Sequence, residues 1–359
     1  MRIDRSAPAE KLVESIRQYA SRPMRLMEFC GGHTVAILKN GIRQLLPDNV
    51  CLSSGPGCPV CVTAAGDIDR IIWLSQQPGV TTATFGDLIR VPGGNSSLQQ
   101  SRAAGNDIQV VYSALEALDL ARRNPARSVV MVGIGFETTS PTIAASLVQA
   151  RRDGLSNYFV FSLHKLTPPA TRAILDAGEV RLDGIICPGH VSAIIGSGPY
   201  TAVVEKYGVA CAVTGFEPVD ILEGIRLLAR QIHDRQPRVE IAYSRAVRPE
   251  GNPHALSLMA EVFDVSAAAW RGFGRIDASG LSLKPAWRDF DAEAKFGIPD
   301  FASKEPQGCL CGAVLRGVAL PADCSLFGLG CVPEHPVGPC MVSSEGACSA
   351  YHLYGANDG

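Results

Sequence analysis

The sequence predicts an α/β protein: two similar doubly wound parallel-sheet lobes facing a cleft, followed by a less regular, cysteine-rich domain. Three observations lead there. Apolar, β-branched runs alternate with helical stretches from residue 24 to about 240. The chemistry-bearing motifs sit where those runs end. Beyond about residue 245 the alternation fades, Pro and Gly accumulate, and cysteines return. At 359 residues the chain exceeds one ordinary core, which suggests two or three domains.

In chain order, residues 1–23 read as an amphipathic N-terminal helix without an apolar signal core, expected to pack on the third domain. Residues 24–125 form the expected first α/β lobe. MRLMEFC, VCLSS, VTTATFG and IQVVYSA are strand-like, with helices over TVAILKNGIRQLL, DIDRIIWLSQQ and SALEALDLARR. Residues 126–240 form the second. SVVMVGIGF, YFVFSLHK, DGIICPGH and VACAVTGF read as buried strands, each leading into a helix. Strands separated by short helices imply right-handed βαβ units and a parallel sheet covered on both faces. Short echoes between the halves fit this plan: Cys30-Gly-Gly-His33 against Cys187-Pro-Gly-His190, and Gly135-Phe-Glu137 against Gly215-Phe-Glu217. Residues 241–359 make the third domain.

The formal charge of −2, from 33 basic and 35 acidic residues, lacks the basic field of a nucleic-acid binder. No run approaches the roughly 18 apolar residues of a membrane span. The expected location is the cytoplasm. There, 12 clustered cysteines point to metal binding or redox work rather than structural disulfides.

In open parallel sheets ligands bind beyond the carboxyl ends of strands, so the motifs at those ends mark the cleft. Cys30-Gly-Gly-His33-Thr34 sets a thiol and an imidazole on a glycine turn entering a helix, whose N-terminus is expected to depress the thiol pKa. The pair suits iron or zinc, and equally a nucleophilic Cys–His couple. Cys58-Pro-Val-Cys61 has the spacing of a redox dithiol; half of a zinc site is the competing reading. Asp87, Glu137 and Glu217 each follow a strand beside glycine. With Thr34, Thr138 and His190 they are candidates for a polar cleft wall, which His164 and Lys165 could join. Cys187 and Cys211 read as buried core thiols. The last domain carries Cys309, Cys311, Cys324, Cys331, Cys340 and Cys348, irregularly spaced and without paired Cys-x-x-Cys knuckles. That favours an iron–sulfur cluster over structural zinc, with two cysteines in excess of the four needed.

Together, FCGGHT, GPGCPVC, TFGDLIRVPG, GFETT, CPGHVS, GFEP and the ending CMVSSEGACSAY, in this order, closely resemble the HypD family of [NiFe]-hydrogenase maturation scaffolds. The resemblance runs from about Met24 to the C-terminus. It implies two α/β domains around a cleft, a third domain with a [4Fe–4S] cluster, and assembly work more than enzymatic turnover. It implies a HypC-like chaperone as partner, with which an iron acquires two cyanides and one carbon monoxide. Cyanide would come from a HypE–HypF complex, and the Fe(CN)2CO unit would pass to the hydrogenase large subunit. Carried onto this chain, Cys30 becomes the thiolate ligand of that iron, with His33 as ligand or proton donor. Cys58 and Cys61 become the redox dithiol relaying electrons. Cys311, Cys324, Cys331 and Cys348 best match the cluster ligands, leaving Cys309 and Cys340 as extras. Two other readings compete: an iron–sulfur-dependent thiol–disulfide oxidoreductase working through Cys58 and Cys61, and a zinc-stabilised binding module.

Overall fold

The computed structural model describes residues 7–302 and 304–355. Eleven strands are found among them: β1 (Met24–Glu28), β2 (Val50–Ser54), β3 (Val80–Thr84), β4 (Ile108–Val110), β5 (Ser128–Gly133), β6 (Tyr158–Ser162), β7 (Gly184–Pro188), β8 (Ala210–Thr214), β9 (Val239–Ile241), β10 (Phe263–Trp270) and β11 (Gly274–Leu283). The helices that matter below are α1 (Ala7–Tyr19), α2 (Gly31–Lys39), α3 (Pro59–Val62), α4 (Ala65–Ser75), α5 (Ala114–Arg123), α6 (Ser140–Arg152), α7 (Thr167–Ala177), α8 (Gly189–Ile195), α9 (Pro218–Asp234), α10 (Pro253–Val262), α11 (Cys311–Leu315), α12 (Pro339–Val342) and α13 (Ala347–Tyr354).

The α/β class and the two parallel sheets are as the alternation predicts. The first sheet runs β2-β1-β7-β8-β9 and the second β4-β3-β5-β6, every pairing parallel. Strands β3, β7 and β8 are buried at every position, as parallel strands covered by helices on both faces must be.

The lobes are divided differently from the expected 24–125 and 126–240. β1 and β2 pair with β7 and β8, whereas β3 and β4 pair with β5 and β6. The second lobe is therefore an insertion within the first. The physical reason lies at β1, whose free edge takes β7 in the register Leu26↔Gly184, Met27↔Ile185, Glu28↔Ile186. Gly184 makes the fit possible, since a Cβ there would stand 2.8 Å from Leu26 Cδ2. The Cys30 and Cys187 echoes consequently follow neighbouring strands of one sheet.

A second difference concerns α1, expected on the third domain. It packs along α9, and its Val13 and Ile16 share one core with Ile221, Ile225 and Leu228. The start of the presumed third domain also differs. Residues 263–283 form the antiparallel hairpin β10–β11, whose Phe263 and Leu281 join the second lobe's core. Only the stretch from about residue 297 onward is the irregular, cysteine-rich part. Its last helix, α13, lies on α2, so the end of the chain closes over the loop that carries Cys30.

Candidate functional site

The turn after β1 is built by close backbone approach. Cys30 is the N-cap of α2, and the Gly31 N–H donates to Gly57 O at 3.0 Å. A Cβ on Gly57 would fall 2.2 Å from the Cys30 nitrogen, so only glycine lets the two cysteine loops nest. Below them Glu28 is fully buried. Its carboxyl accepts from the Cys30 N–H at 2.9 Å and from the Thr34 hydroxyl, and burial pushes its pKa up to about 8.

Burial also decides the state of Cys30. The thiol is 2% exposed, and desolvation pushes its pKa up, with Glu28 and Glu345 adding to the rise. The depression expected from the helix N-terminus is outweighed, so Cys30 is held as a thiol. Its polar contact is His190 Nδ1 at 3.8 Å, the half-buried histidine at the head of α8. Desolvation lowers His190 to about 4, leaving a neutral ring that can accept the thiol proton.

His33 lies one turn on and is fully buried. Its Nε2 sits 2.9 Å from Gly215 O and 2.8 Å from Thr214 Oγ1. A carbonyl only accepts, so Nε2 carries the proton and Nδ1 is the bare acceptor. Nδ1 is buried without a hydrogen-bond partner among the described residues, and burial lowers the ring's pKa to about 4. A free, neutral Nδ1 suits a ligand or proton acceptor better than a proton donor. The Phe216 ring stacks on His33 at 4.8 Å and approaches His190 at 5.2 Å, joining the two imidazoles.

Cys58 and Cys61 are joined as a disulfide across α3, with Cα atoms 5.2 Å apart. Both are buried, and Cys58 Sγ accepts from the Cys61 N–H at 3.1 Å. On one side their loop nests against Cys30. On the other, Cys61 Sγ lies 3.8 Å from Pro339 O, beside Cys340.

The six late cysteines line one pocket, otherwise walled by apolar side chains such as Leu310, Val314, Leu326 and Phe327. Cys311 and Cys340 Sγ lie 2.6 Å apart, Cys309 interacts with Cys311, and Cys348 with Cys340. Cys309 and Cys340, read as extras from sequence, therefore stand in the tightest part of the group. Cys331 Sγ accepts from the Val337 N–H at 3.3 Å, and Cys324 Sγ is 3.7 Å from Gly308 O. An all-thiol, apolar lining is the donor set an iron–sulfur cluster uses.

The proposed carboxylate wall is not assembled. Asp87 is exposed and accepts from the Ser343 hydroxyl at 2.9 Å. Glu137 is buried and accepts from the Thr167 N–H and hydroxyl at 2.8 and 2.9 Å, capping α7; desolvation raises it to about 7. Glu217 projects outward with its side chain 79% exposed. Thr138 is half-buried beside Glu137, and Thr34 belongs to the Glu28 network. His164 is buried against Ser162 and lowered by desolvation to about 3; Lys165 reaches Asp67 at 3.5 Å inside the second lobe. Cys187 and Cys211 lie in the first lobe's core. Sequence reasoning missed Glu28, Phe216 and Glu345. Glu28 and Phe216 neighbour quoted motif residues, and Glu345 lies in the terminal SSEG; the signal was there to be used.

Comparison with known proteins gives a consistent picture. The family model HypD, described as the hydrogenase formation hypA family, matches residues 7–355. The hydrogenase maturation factor HypD of Rhodobacter capsulatus is 47% identical over 354 residues, covering 97% of this chain and 94% of its own. That of Azotobacter vinelandii is 46% identical over 358 residues, again covering 97% and 94%. That of Cupriavidus necator is 42% identical over 357 residues, with the same coverage.

Proposed function

The chain belongs to the HypD family of hydrogenase maturation factors, and from this we propose that it is the scaffold on which the Fe(CN)2CO unit of a [NiFe] site is put together with a HypC-like chaperone. The observation that carries the reading is the position of the Cys58–Cys61 disulfide, between the Cys30 loop and the late-cysteine pocket.

Cys30 binds the iron that is the cargo, and the proton the metal displaces leaves to solvent by way of the neutral His190 ring. His33 Nδ1 faces the same task as second ligand or base. Soft thiolate in a dry, prearranged pocket suits low-spin iron carrying strong-field diatomic ligands. A cyanide delivered on a sulfur carrier by a HypE–HypF-like complex leaves only when the S–C bond receives two electrons. The Cys58–Cys61 dithiol supplies two electrons as it closes to a disulfide and releases two protons. A [4Fe–4S] cluster in the late-cysteine pocket, on Cys311, Cys324, Cys331 and Cys348, would resupply electrons one at a time. The alternative, an iron–sulfur-dependent thiol–disulfide oxidoreductase working through Cys58 and Cys61, leaves the Cys30–His33 loop that nests on the disulfide without a use.

The test is an infrared spectrum of the chain, co-expressed with the other maturation factors and purified without oxygen. Cyanide and carbon monoxide bands that vanish in Cys30→Ala support the scaffold role. A silent spectrum from a chain that retains iron and sulfide refutes it.

A further inference from the structure

One buried charge is left unused by the roles above. Arg271 follows β10, and its side chain is 0% exposed. Its N–H donates to Val62 O at 2.8 Å and its Nε to Thr63 O at 3.1 Å, the two carbonyls that leave the disulfide helix α3. Its Nη1 pairs with Glu305, four residues ahead of Cys309. Its Nη2 is buried with no hydrogen-bond partner among the described residues. The next residue, Gly272, has φ of 81° and packs directly on α11. A Cβ there would stand 2.7 Å from Gly312 Cα, and Arg316 donates to Gly272 O at 2.7 Å. The loop is thus wedged between the helix that carries Cys61 and the helix that begins at Cys311.

A fully buried guanidinium with an unsatisfied nitrogen is destabilising unless negative charge faces it. Glu305 supplies part of that charge, but its side chain is 41% exposed and screened by solvent. The other candidates are the pocket thiols. They lie on the far side of the same loop, where Gly272 packs on the helix that begins at Cys311.

We infer that Arg271 is a positioning residue coupling the two sulfur centres: its backbone and Nε fix the disulfide helix against the cysteine pocket, and its permanent charge offsets the negative charge of thiolates and cluster. This rests on the cluster reading above. Arginine fits because it does not deprotonate and its planar fork engages several partners at once. A fixed cation in a low-dielectric site favours the more negative, reduced form of a neighbouring redox group.

The experiment uses the full chain, reconstituted without oxygen with iron and sulfide. Iron and acid-labile sulfide are counted, and the cluster is titrated against redox mediators by visible absorption and electron paramagnetic resonance. Arg271→Gln should keep its iron and shift the reduction equilibrium about tenfold toward the oxidised form, about 59 mV for one electron. Arg271→Lys should stay near the parent. Glu305→Gln, which removes the half-exposed charge paired with Arg271, should shift the equilibrium the opposite way. Iron-loaded variants all titrating with the parent would overturn the role of Arg271 while leaving the cluster intact. A parent chain that binds no labile sulfide would instead sink the cluster reading, and this inference with it. Should Arg271→Gln fail to fold, Glu305→Gln decides: a shift toward the reduced form upholds the charge coupling, and a titration identical to the parent overturns it.

Discussion

At Cys30 two influences on one thiol oppose each other, and their magnitudes decide its chemistry. The start of α2 stabilises a thiolate by about 1 kcal/mol or less, whereas complete burial shifts ionisable groups by several pKa units. Burial wins, so a metal must displace a proton. Iron uptake at Cys30 should therefore strengthen about tenfold per pH unit below the thiol pKa, with one proton released per iron; calorimetry in buffers of different ionisation enthalpy would read this, and a pH-independent affinity would contradict it. Glu28 obeys the same linkage with the opposite charge. Its carboxyl, raised from 4.5 to about 8 in the fold, binds more protons folded than unfolded between those values. Stability accordingly falls as pH rises through that window, by at most about 1.4 kcal/mol per unit from this one group. Glu28→Gln removes the titration, so its stability relative to the parent should be better at pH 8 than at pH 5.5 in urea melts. An equal difference at both values would show that Glu28 ionises freely. The motif cysteines and histidines were legible from sequence because their spacing is local. The partner of Cys30 was not: His190 reaches it from α8, 160 residues away, through a sheet pairing that spacing does not encode.

Among elements, the late-cysteine segment and α13 carry the decisive packing. Gly31 lies under Glu345, and a Cβ there would stand 2.1 Å from Glu345 O. Gly31→Ala should push the SSEG turn and α13 off α2 at a loss of about 1–3 kcal/mol. Faster hydrogen exchange across 341–350, with β3–β6 unchanged, would report it; unchanged exchange would mean that the turn yields without strain. The ligand choice also belongs here. Sequence pattern selects Cys324 and Cys331, yet Cys309 and Cys340 make the closest thiol contacts with Cys311 and Cys348. If the pattern holds, Cys340→Ala keeps its iron and labile sulfide while Cys324→Ala loses them; the reverse result assigns the cluster to the tight group. Strands β5 to β8 were readable because each is a largely buried apolar run bounded by glycine or a polar turn. β10–β11 was not, since Val265 and its neighbours are half exposed and the strand carries a bulge near Ser266.

At the scale of the molecule, the interleaving of the lobes has consequences that the alternation of strands and helices conceals. A chain of two consecutive α/β lobes could be cut between residues 125 and 126 and leave two self-sufficient halves. Here that cut parts β3 and β4 from β5 and β6, and β1 and β2 from β7 and β8. The 1–125 piece would hold two strands of each sheet, with Leu26, Ile37, Leu52 and Val80 deprived of the surfaces that bury them. Two-stranded remnants do not stand alone in water. Fragments 1–125 and 126–359, expressed separately, should therefore lack cooperative thermal transitions and dispersed amide spectra, whereas mixing them should restore both. A folded 1–125 fragment would refute the pairing of β1 with β7. The same interleaving explains how the site is assembled. Cys30, Cys58 and His190 all leave the carboxyl edge of the first sheet, and the chain visits the second lobe between Cys61 and His190. The return of the C-terminal segment onto α2 then brings the late cysteines beside a disulfide almost 280 residues earlier. The proposed relay through three sulfur sites would need that long-range closure, so on that proposal loosening α13 should slow re-reduction of Cys58–Cys61 before it alters the fold of either sheet.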